Sequence, residues 1–356
     1  MLLALIIAFA ITYLTVPLVI KLATRFNLID NPKVRIHPAH THKGCIPRAG
    51  GLSLLLGIII PILIFLPVNK ALIGIIIGAI LNVALGLWDD WKDLSPYFRF
   101  SANILVAAIV VGSGIGIPFI TNPLGGIIHL DTLRISFEFL GKHSILVWAD
   151  LFAIIWIVWT MNIVGWSSGV DGQMPGFVVI TALILGIMSW KFSAHDLSQT
   201  TVATLAFVVA GAYLGFLPWN FYPQKIMPGY GGKALAGFLL AIIAILSGGK
   251  VGSALIILAI PMMDATYILF RRIISKKSPF KADRSHLHHR LLDLGWGKRR
   301  IALFYWMVSA ILGTLTLTLN SHQKIFVFIG IGVILGGLIL GLAQIFEKPD
   351  SLAEEI

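Results

Sequence analysis

The stretch ALIGIIIGAILNVALGLWDDWKD, residues 71–93, decides how this chain is read. Ala71 to Leu87 is an apolar run long enough to cross a bilayer. It runs directly into Trp88-Asp89-Asp90-Trp91-Lys92-Asp93, which places three carboxylates within five positions. Carboxylates near hydrocarbon are costly and rarely stand there without partners. A cluster at a membrane border therefore usually has a cation to hold. Mg²⁺ takes hard oxygen ligands, often one or two carboxylates plus the phosphates of a substrate. The segment thus points to metal-dependent phosphate chemistry at a membrane surface. The plainer alternative is a solvated helix end, with Asp93 placed to cap the next helix.

Composition fixes the class around this segment. The chain has 356 residues, 57% hydrophobic and only 12% charged, and a mean hydropathy of +0.90. Soluble domains carry about 25% charged residues, so the chain is read as a polytopic, all-α integral membrane protein. Its net charge of +11 suggests loops facing anionic headgroups, or an anionic substrate. Nucleic-acid binding is a poor reading, because the basic residues lie in short loops between spans. The lone Cys45 excludes an intrachain disulfide framework and any zinc-type cysteine spacing. Met1 to Ala10 lacks the positive start of a cleaved signal peptide. The first span is therefore expected to be retained, with the N-terminus outside.

By the twenty-residue rule the chain holds about eleven spans, centred near Ala10, Ile59, Gly78, Ala108, Ile157, Ala182, Val208, Ile242, Ile257, Ile311 and Ile334. Ser247-Gly248-Gly249-Lys250 reads as a tight turn between two of them. Residues 1–346 form one transmembrane domain, and 347–356 a cytoplasmic tail. Lys70, Arg134, Lys142, Lys191, Lys250 and Lys324 fall in outside loops; the rest of the 27 Lys and Arg fall inside. That asymmetry favours an N-out, C-in arrangement. The outside loop from 117 to 147 alternates from His129 to Phe139 as a small extracytoplasmic β-hairpin would.

Every unusual polar cluster then falls on the cytoplasmic side: residues 30–48, 89–93, 162–171, 220–233 and 283–290. A transporter would spread polar groups along its spans, whereas Asp264 is the sole acid well inside a late span. Clustering on one side fits an enzyme working on a cytosolic substrate at the membrane face. Asp283-Arg284-Ser285-His286-Leu287-His288-His289-Arg290 fits recognition of phosphate or nucleotide. A zinc site and a lipid-gripping basic stretch are the alternatives there. In the loop from Asn162 to Gly172, Asp171 would present a carboxylate, with a plain Asx turn as the bland reading.

Five segments together resemble the polyprenyl-phosphate N-acetylhexosamine-1-phosphate transferase family, and its undecaprenyl-phosphate N-acetylglucosamine-1-phosphate branch most. They are His42 to Gly51, Gly86 to Pro96, Asn162 to Gly172, Asn220 to Pro223, and Asp283 to Leu292. The departures are specific. The family usually has Pro at Cys45, a second Asn at Gly165 and a further Asp at Ser168. It usually has Gly-Asp-Ser-Gly-Ser where this chain has Gly229-Tyr230-Gly231-Gly232-Lys233.

The resemblance implies transfer of a sugar 1-phosphate from a UDP-N-acetylhexosamine to polyprenyl phosphate, with release of UMP, at the cytoplasmic face of the cell membrane. It implies Mg²⁺, or Mn²⁺ in its place, with Asp171 and Asp90 at the metal and Asp89 orienting or deprotonating the acceptor. His286, His288, His289 and Arg290 would hold the sugar or diphosphate. Lys43, Arg48 and Arg99 would draw in the lipid phosphate, and Asn162 and Asn220 would bind the donor or support the loops. Membrane lipids are the remaining partners, and a homodimer stays an open question. The missing acids leave a second reading, an inactive relative that binds lipid phosphate or acts as a scaffold.

Topology is testable directly. In a Cys45→Ser background, Ser278→Cys should be shielded from an impermeant thiol reagent in intact cells, and Thr132→Cys should be labelled. The loop 271–300 carries far more Lys and Arg than 117–147, and each is costly to translocate. Labelling of Ser278→Cys from outside would place that loop away from cytosolic nucleotides and end the transferase reading.

Overall fold

The computed structural model describes residues 1–34, 40–42, 44–122, 125–138, 142–248, 250–278 and 284–346. Lys43, Gly249, Asp283 and the tail 347–356 lie outside the described residues. Thirteen helices are described: α1 (Leu2–Arg25), α2 (Gly50–Phe65), α3 (Lys70–Lys92), α4 (Pro96–Gly112), α5 (Val147–Trp166), α6 (Gln173–Phe192), α7 (Ser198–Asn220), α8 (Gly229–Leu246), α9 (Val251–Ile257), α10 (Ala259–Ile274), α11 (Leu287–Asp293), α12 (Lys298–Thr316) and α13 (Ser321–Phe346). Six short strands complete the described elements: β1 (Ile29–Asp30), β2 (Ile46–Pro47), β3 (Phe119–Thr121), β4 (Ile127–His129), β5 (Arg134–Glu138) and β6 (Lys142–Leu146).

By length and composition seven of these helices are apolar enough to cross a membrane, or eight if α9 and α10 form one broken span. The sequence expectation of eleven counted three more. Two of these, α2 and α4, are apolar but have only 16 and 17 residues. The third, α12, opens on Lys298-Arg299-Arg300. The ninth expected span is bent by 84° at Leu258, between α9 and α10. An apolar run alone does not reveal such a break.

Burial ranks the helices by position. In α8, 83% of the most apolar window is buried, against 28% in α1 and 11% in α13. The central helix is therefore α8, with α2, α3, α5, α6 and α7 packed around it. Isolated apolar side chains cannot drive helices together in lipid, so close backbone approach through small residues does much of that work. A Cβ on Gly51 would sit 2.7 Å from the Gly232 nitrogen, and one on Gly86 would fall on the Gly231 backbone. The start of α8 is thereby wedged between α2 and α3.

Local chemistry sets the helix ends near that wedge. Asn69 caps α3 by accepting from the Leu72 amide, and Ser95 caps α4 by accepting from Phe98, with Pro96 in the first turn. Asp93 does not cap α4. It closes α3 in the left-handed conformation at φ 52, and Ser95 takes the capping role. Outside the helices, β3 pairs with β4 and β5 with β6, both antiparallel. The alternating run from His129 does not fold on itself: His129 ends β4, while Arg134–Glu138 pairs with Lys142–Leu146.

The glycine seam makes a stability prediction. Gly86→Ala should destabilise the protein by about 1–3 kcal/mol, the usual cost of overpacking a tight contact. Gly112→Ala, which meets nothing within 4 Å, should be neutral. Thermal unfolding in detergent would show the contrast. Equal melting of the two variants would mean that α3 and α8 do not meet in this way.

Candidate active site

At one end of the bundle lies a cavity of about 550 Å³. All five sequence clusters contribute to its wall, including Asp30, Arg48, Asp89, Arg99, Asn162, Asn220, Lys233, His286, His288 and His289. Residues far apart in sequence therefore share one polar chamber at the edge of an apolar bundle.

The carboxylates are each held by a cation. Asp89 accepts from Arg99 Nη1 on both oxygens at 3.3 Å, and from the Leu94 amide at 3.1 Å. Asp90 is paired with Arg48 at 2.9 Å and accepts from the Tyr230 amide at 3.3 Å. Asp171 is paired with Lys298 at 2.9 Å and accepts from the Gln224 amide and side chain, both at 3.2 Å. All three carboxylates are almost fully buried. An unpaired buried charge is expensive, and these partners offset part of that cost. Asp90 and Asp171 do not line the cavity but stand behind its wall, Asp171 between lining residues Val170 and Gln224.

Among the described residues no group of three or more His, Cys, Asp or Glu could cage a metal. The donor set still suits Mg²⁺, which needs only one or two carboxylates when substrate phosphates and water supply the rest. A dication at Asp171 or Asp90 would take over the charge balance that Lys298 or Arg48 now provides.

The His-rich segment is not a solvated loop. From Leu287 to Asp293 it forms α11, and His288, His289 and Arg290 are buried. Asp264, from α10, anchors it: one oxygen lies 2.8 Å from His286 Nδ1 and the other accepts from the Leu287 amide at 2.8 Å. The rings of His286 and His288 stack at 5.6 Å, and His289 lies 4.3 Å from His288. Arg290 does not join the cavity wall. It donates to the carbonyls of Ser285 at 2.8 Å and Ile339 at 3.0 Å, tying α11 to α13.

The two asparagines differ in role. Asn162 lines the cavity and donates to the Val158 carbonyl in its own helix at 2.7 Å. Asn220 is a loop support: it accepts from the Gly172 amide at 3.0 Å and donates to the Ile226 carbonyl at 2.9 Å. Sequence reasoning missed Asp264, Lys298, Gln224 and Lys233 as site residues. An isolated acid in an apolar run was a signal for Asp264; partnerships spanning 53 and 127 positions gave none for Gln224 and Lys298.

Burial pushes the His288 imidazole well below its ordinary pKa, helped by His289, His286 and Lys233. His289 is pushed down to about 4, by burial first and then by His286 and Arg284. Both rings are therefore neutral at pH 7 and add no positive charge to the chamber. Below about 6.5 the unfolded chain takes up protons that these buried rings refuse, so stability should fall as pH drops from 6.5 toward 4. Melting temperature in detergent should decline across that window, and His289→Gln should flatten the decline. A wild-type profile that is level from pH 7 to 5 would show that the rings are not buried neutral.

The sequence model described as "Glycosyl transferase family 4" matches residues 72–248. A Bacillus subtilis (strain 168) protein, named as a probable undecaprenyl-phosphate N-acetylglucosaminyl 1-phosphate transferase, is 28% identical over 89% of this chain and 85% of its own length. A decaprenyl-phosphate N-acetylglucosaminephosphotransferase of Mycobacterium leprae (strain TN) is 28% identical over 92% of this chain and 86% of its own length. A phospho-N-acetylmuramoyl-pentapeptide-transferase of Staphylococcus epidermidis (strain ATCC 12228 / FDA PCI 1200) is 26% identical over 89% of this chain and 98% of its own length. These relatives extend the likeness well beyond the span of the family model, and with the shared chamber they bear out the resemblance read from the five segments: the chain is similar to glycosyl transferase family 4 and to polyprenyl-phosphate sugar-1-phosphate transferases.

Proposed function

We propose that this chain transfers N-acetylglucosamine 1-phosphate from its UDP derivative to undecaprenyl or a similar polyprenyl phosphate. UMP leaves, and the product starts a lipid-linked cell-envelope glycan. The observation that carries the proposal is the convergence of the Asp-rich, Asn162–Gly172, Asn220 and His-rich segments on one cavity at the end of an apolar bundle. The names of two relatives support the N-acetylglucosamine donor. The reading places the cavity at the cytoplasmic face of the cell membrane, where nucleotide sugars are made.

Both reactants are anionic, so the site must lower their mutual repulsion. Mg²⁺, or Mn²⁺, belongs to the proposal: Asp171 and Asp90 would hold it together with the substrate phosphates, and it would neutralise charge on the donor diphosphate. Arg48 and Arg99 line the cavity and would draw the lipid phosphate inward, and Lys43 would join them. Asp89, fixed by Arg99, would orient the acceptor. A phosphate monoester is already mostly dianionic at pH 7, so no strong base is required of Asp89. His286, fixed by Asp264, would offer a hydrogen-bonding group to the sugar or diphosphate, and His288 and His289 would offer neutral ones. Arg290, which bonds to α13 instead, would act by holding α11 in place.

Purified protein given Mg²⁺, UDP-N-acetylglucosamine and undecaprenyl phosphate should release UMP. Asp90→Asn and Asp171→Asn should each lower the rate by about a hundredfold or more, and His288→Ala should also lose activity, all with folding retained. No UMP from any donor in a small UDP-sugar panel would leave the chain as a lipid-phosphate binder. Near wild-type rates in both Asp variants at limiting Mg²⁺ would remove the metal assignment.

A further inference from the structure

Lys233 is the one position of the compared segments at which this chain carries a cation where the family it resembles has a neutral residue. The family pattern has a serine there, an asparagine at Gly165, and aspartates at Ser168 and Tyr230. Losing two acids and gaining a lysine all move the chamber's charge in the positive direction. The structure shows that two of these departures face each other. A Cβ on Gly165, near the end of α5, would lie 4.0 Å from the Lys233 Cβ, with nothing else as near. The space of a family asparagine is therefore open beside the lysine stem. Tyr230, in place of the acid, adds no carboxylate: its hydroxyl lies 3.0 Å from Asn103 Oδ1, and its ring lies under Arg99 at 5.5 Å.

The charge balance of the chamber singles out the same residue. Arg48 and Arg99 line the cavity but are paired with Asp90 and Asp89. Lys298 is paired with Asp171, and Arg272, a further lining guanidinium, is held by the Ser278 carbonyl. His288 and His289 are neutral. Lys233 lines the cavity, and among the described residues no carboxylate lies within ion-pair distance of its ammonium. A cation carried into a largely buried site without a fixed partner suits an anion that arrives.

We infer that Lys233 is a fixed phosphate-binding cation of this chain, holding the phosphoryl oxygens of a reactant in the space that the Gly165 departure leaves open. The inference rests on the proposed transferase function. Its ligand class is a phosphate anion, which the donor diphosphate and the lipid phosphate share. The fixed ammonium adds positive charge where two family acids are absent.

Binding separates this from a merely structural lysine. The full chain in detergent would be titrated calorimetrically with inorganic pyrophosphate, UDP-N-acetylglucosamine and farnesyl phosphate, each with EDTA and with Mg²⁺. Wild type should bind at least one of them in EDTA. Lys233→Met should weaken that binding by about tenfold or more, the scale of one charge-assisted hydrogen bond, with an unchanged melting temperature. Lys233→Arg should restore most of it. A loss confined to farnesyl phosphate assigns the lysine to the acceptor; a loss for pyrophosphate and nucleotide sugar assigns it to the donor. Equal affinities in wild type and Lys233→Met for all three ligands would overturn the inference. Should Lys233→Met unfold, the family pair Gly165→Asn with Lys233→Ser serves instead. Retained EDTA-resistant binding in that double variant would equally overturn it. UMP release is scored separately. Turnover with no dependence of KM or binding on Lys233 sinks only the inference, whereas Lys233-dependent pyrophosphate binding without UMP release from any donor sinks only the transferase reading.

Discussion

Gly231 and Gly232 let the first turn of α8 meet α3 at Gly86 and α2 at Gly51, backbone against backbone. The rest of the chamber depends on this approach. It brings the Tyr230 amide to Asp90 at the end of α3, and it sets Lys233 against the end of α5. The segment just before α2 is drawn in as well, since the Gly50 amide donates to Met227 and Arg48 reaches Asp90. In lipid there is little hydrophobic gain from helix association, so packing of small residues and interhelical hydrogen bonds carry it. A side chain at Gly86 would push α3 from α8 and separate the groups that make the site.

Electrostatics then decides what the chamber can hold. Three almost buried carboxylates would be intolerable without compensation, and each has its own guanidinium or ammonium. These pairings balance the buried carboxylates in the absence of substrate, at the expense of cations that could otherwise meet phosphate. His288 and His289 contribute shape and neutral hydrogen-bonding groups, because burial keeps them unprotonated. The result is a site whose carboxylates are already balanced and whose response to an incoming polyanion falls on a few basic side chains.

The membrane class and the run of helices were legible because they depend on local composition, as in residues 71–87. The five polar segments were legible too, since residue type and spacing within each are enough to resemble a family. Helix breaks and exact strand partners were not. The bend at Leu258 is marked by Pro261, which has no N–H for the helical bond to the Ile257 carbonyl. Pro17, Pro61 and Pro218 stand inside unbroken helices, so a proline alone did not reveal it, and the His129 to Phe139 alternation fits more than one pairing.

What the sequence by itself determined is therefore the membrane class, the helical content and the residues available for phosphate chemistry. Which of those residues meet was decided only by the tertiary structure. His288 and Arg290 are two positions apart, yet one faces the cavity and the other bonds to α13, because successive positions on a helix point in different directions. Asp171 and Lys298 are 127 positions apart and lie 2.9 Å from each other. Such partnerships follow from how closely the helices pack, and that distance is set by glycines whose contacts no local pattern reveals.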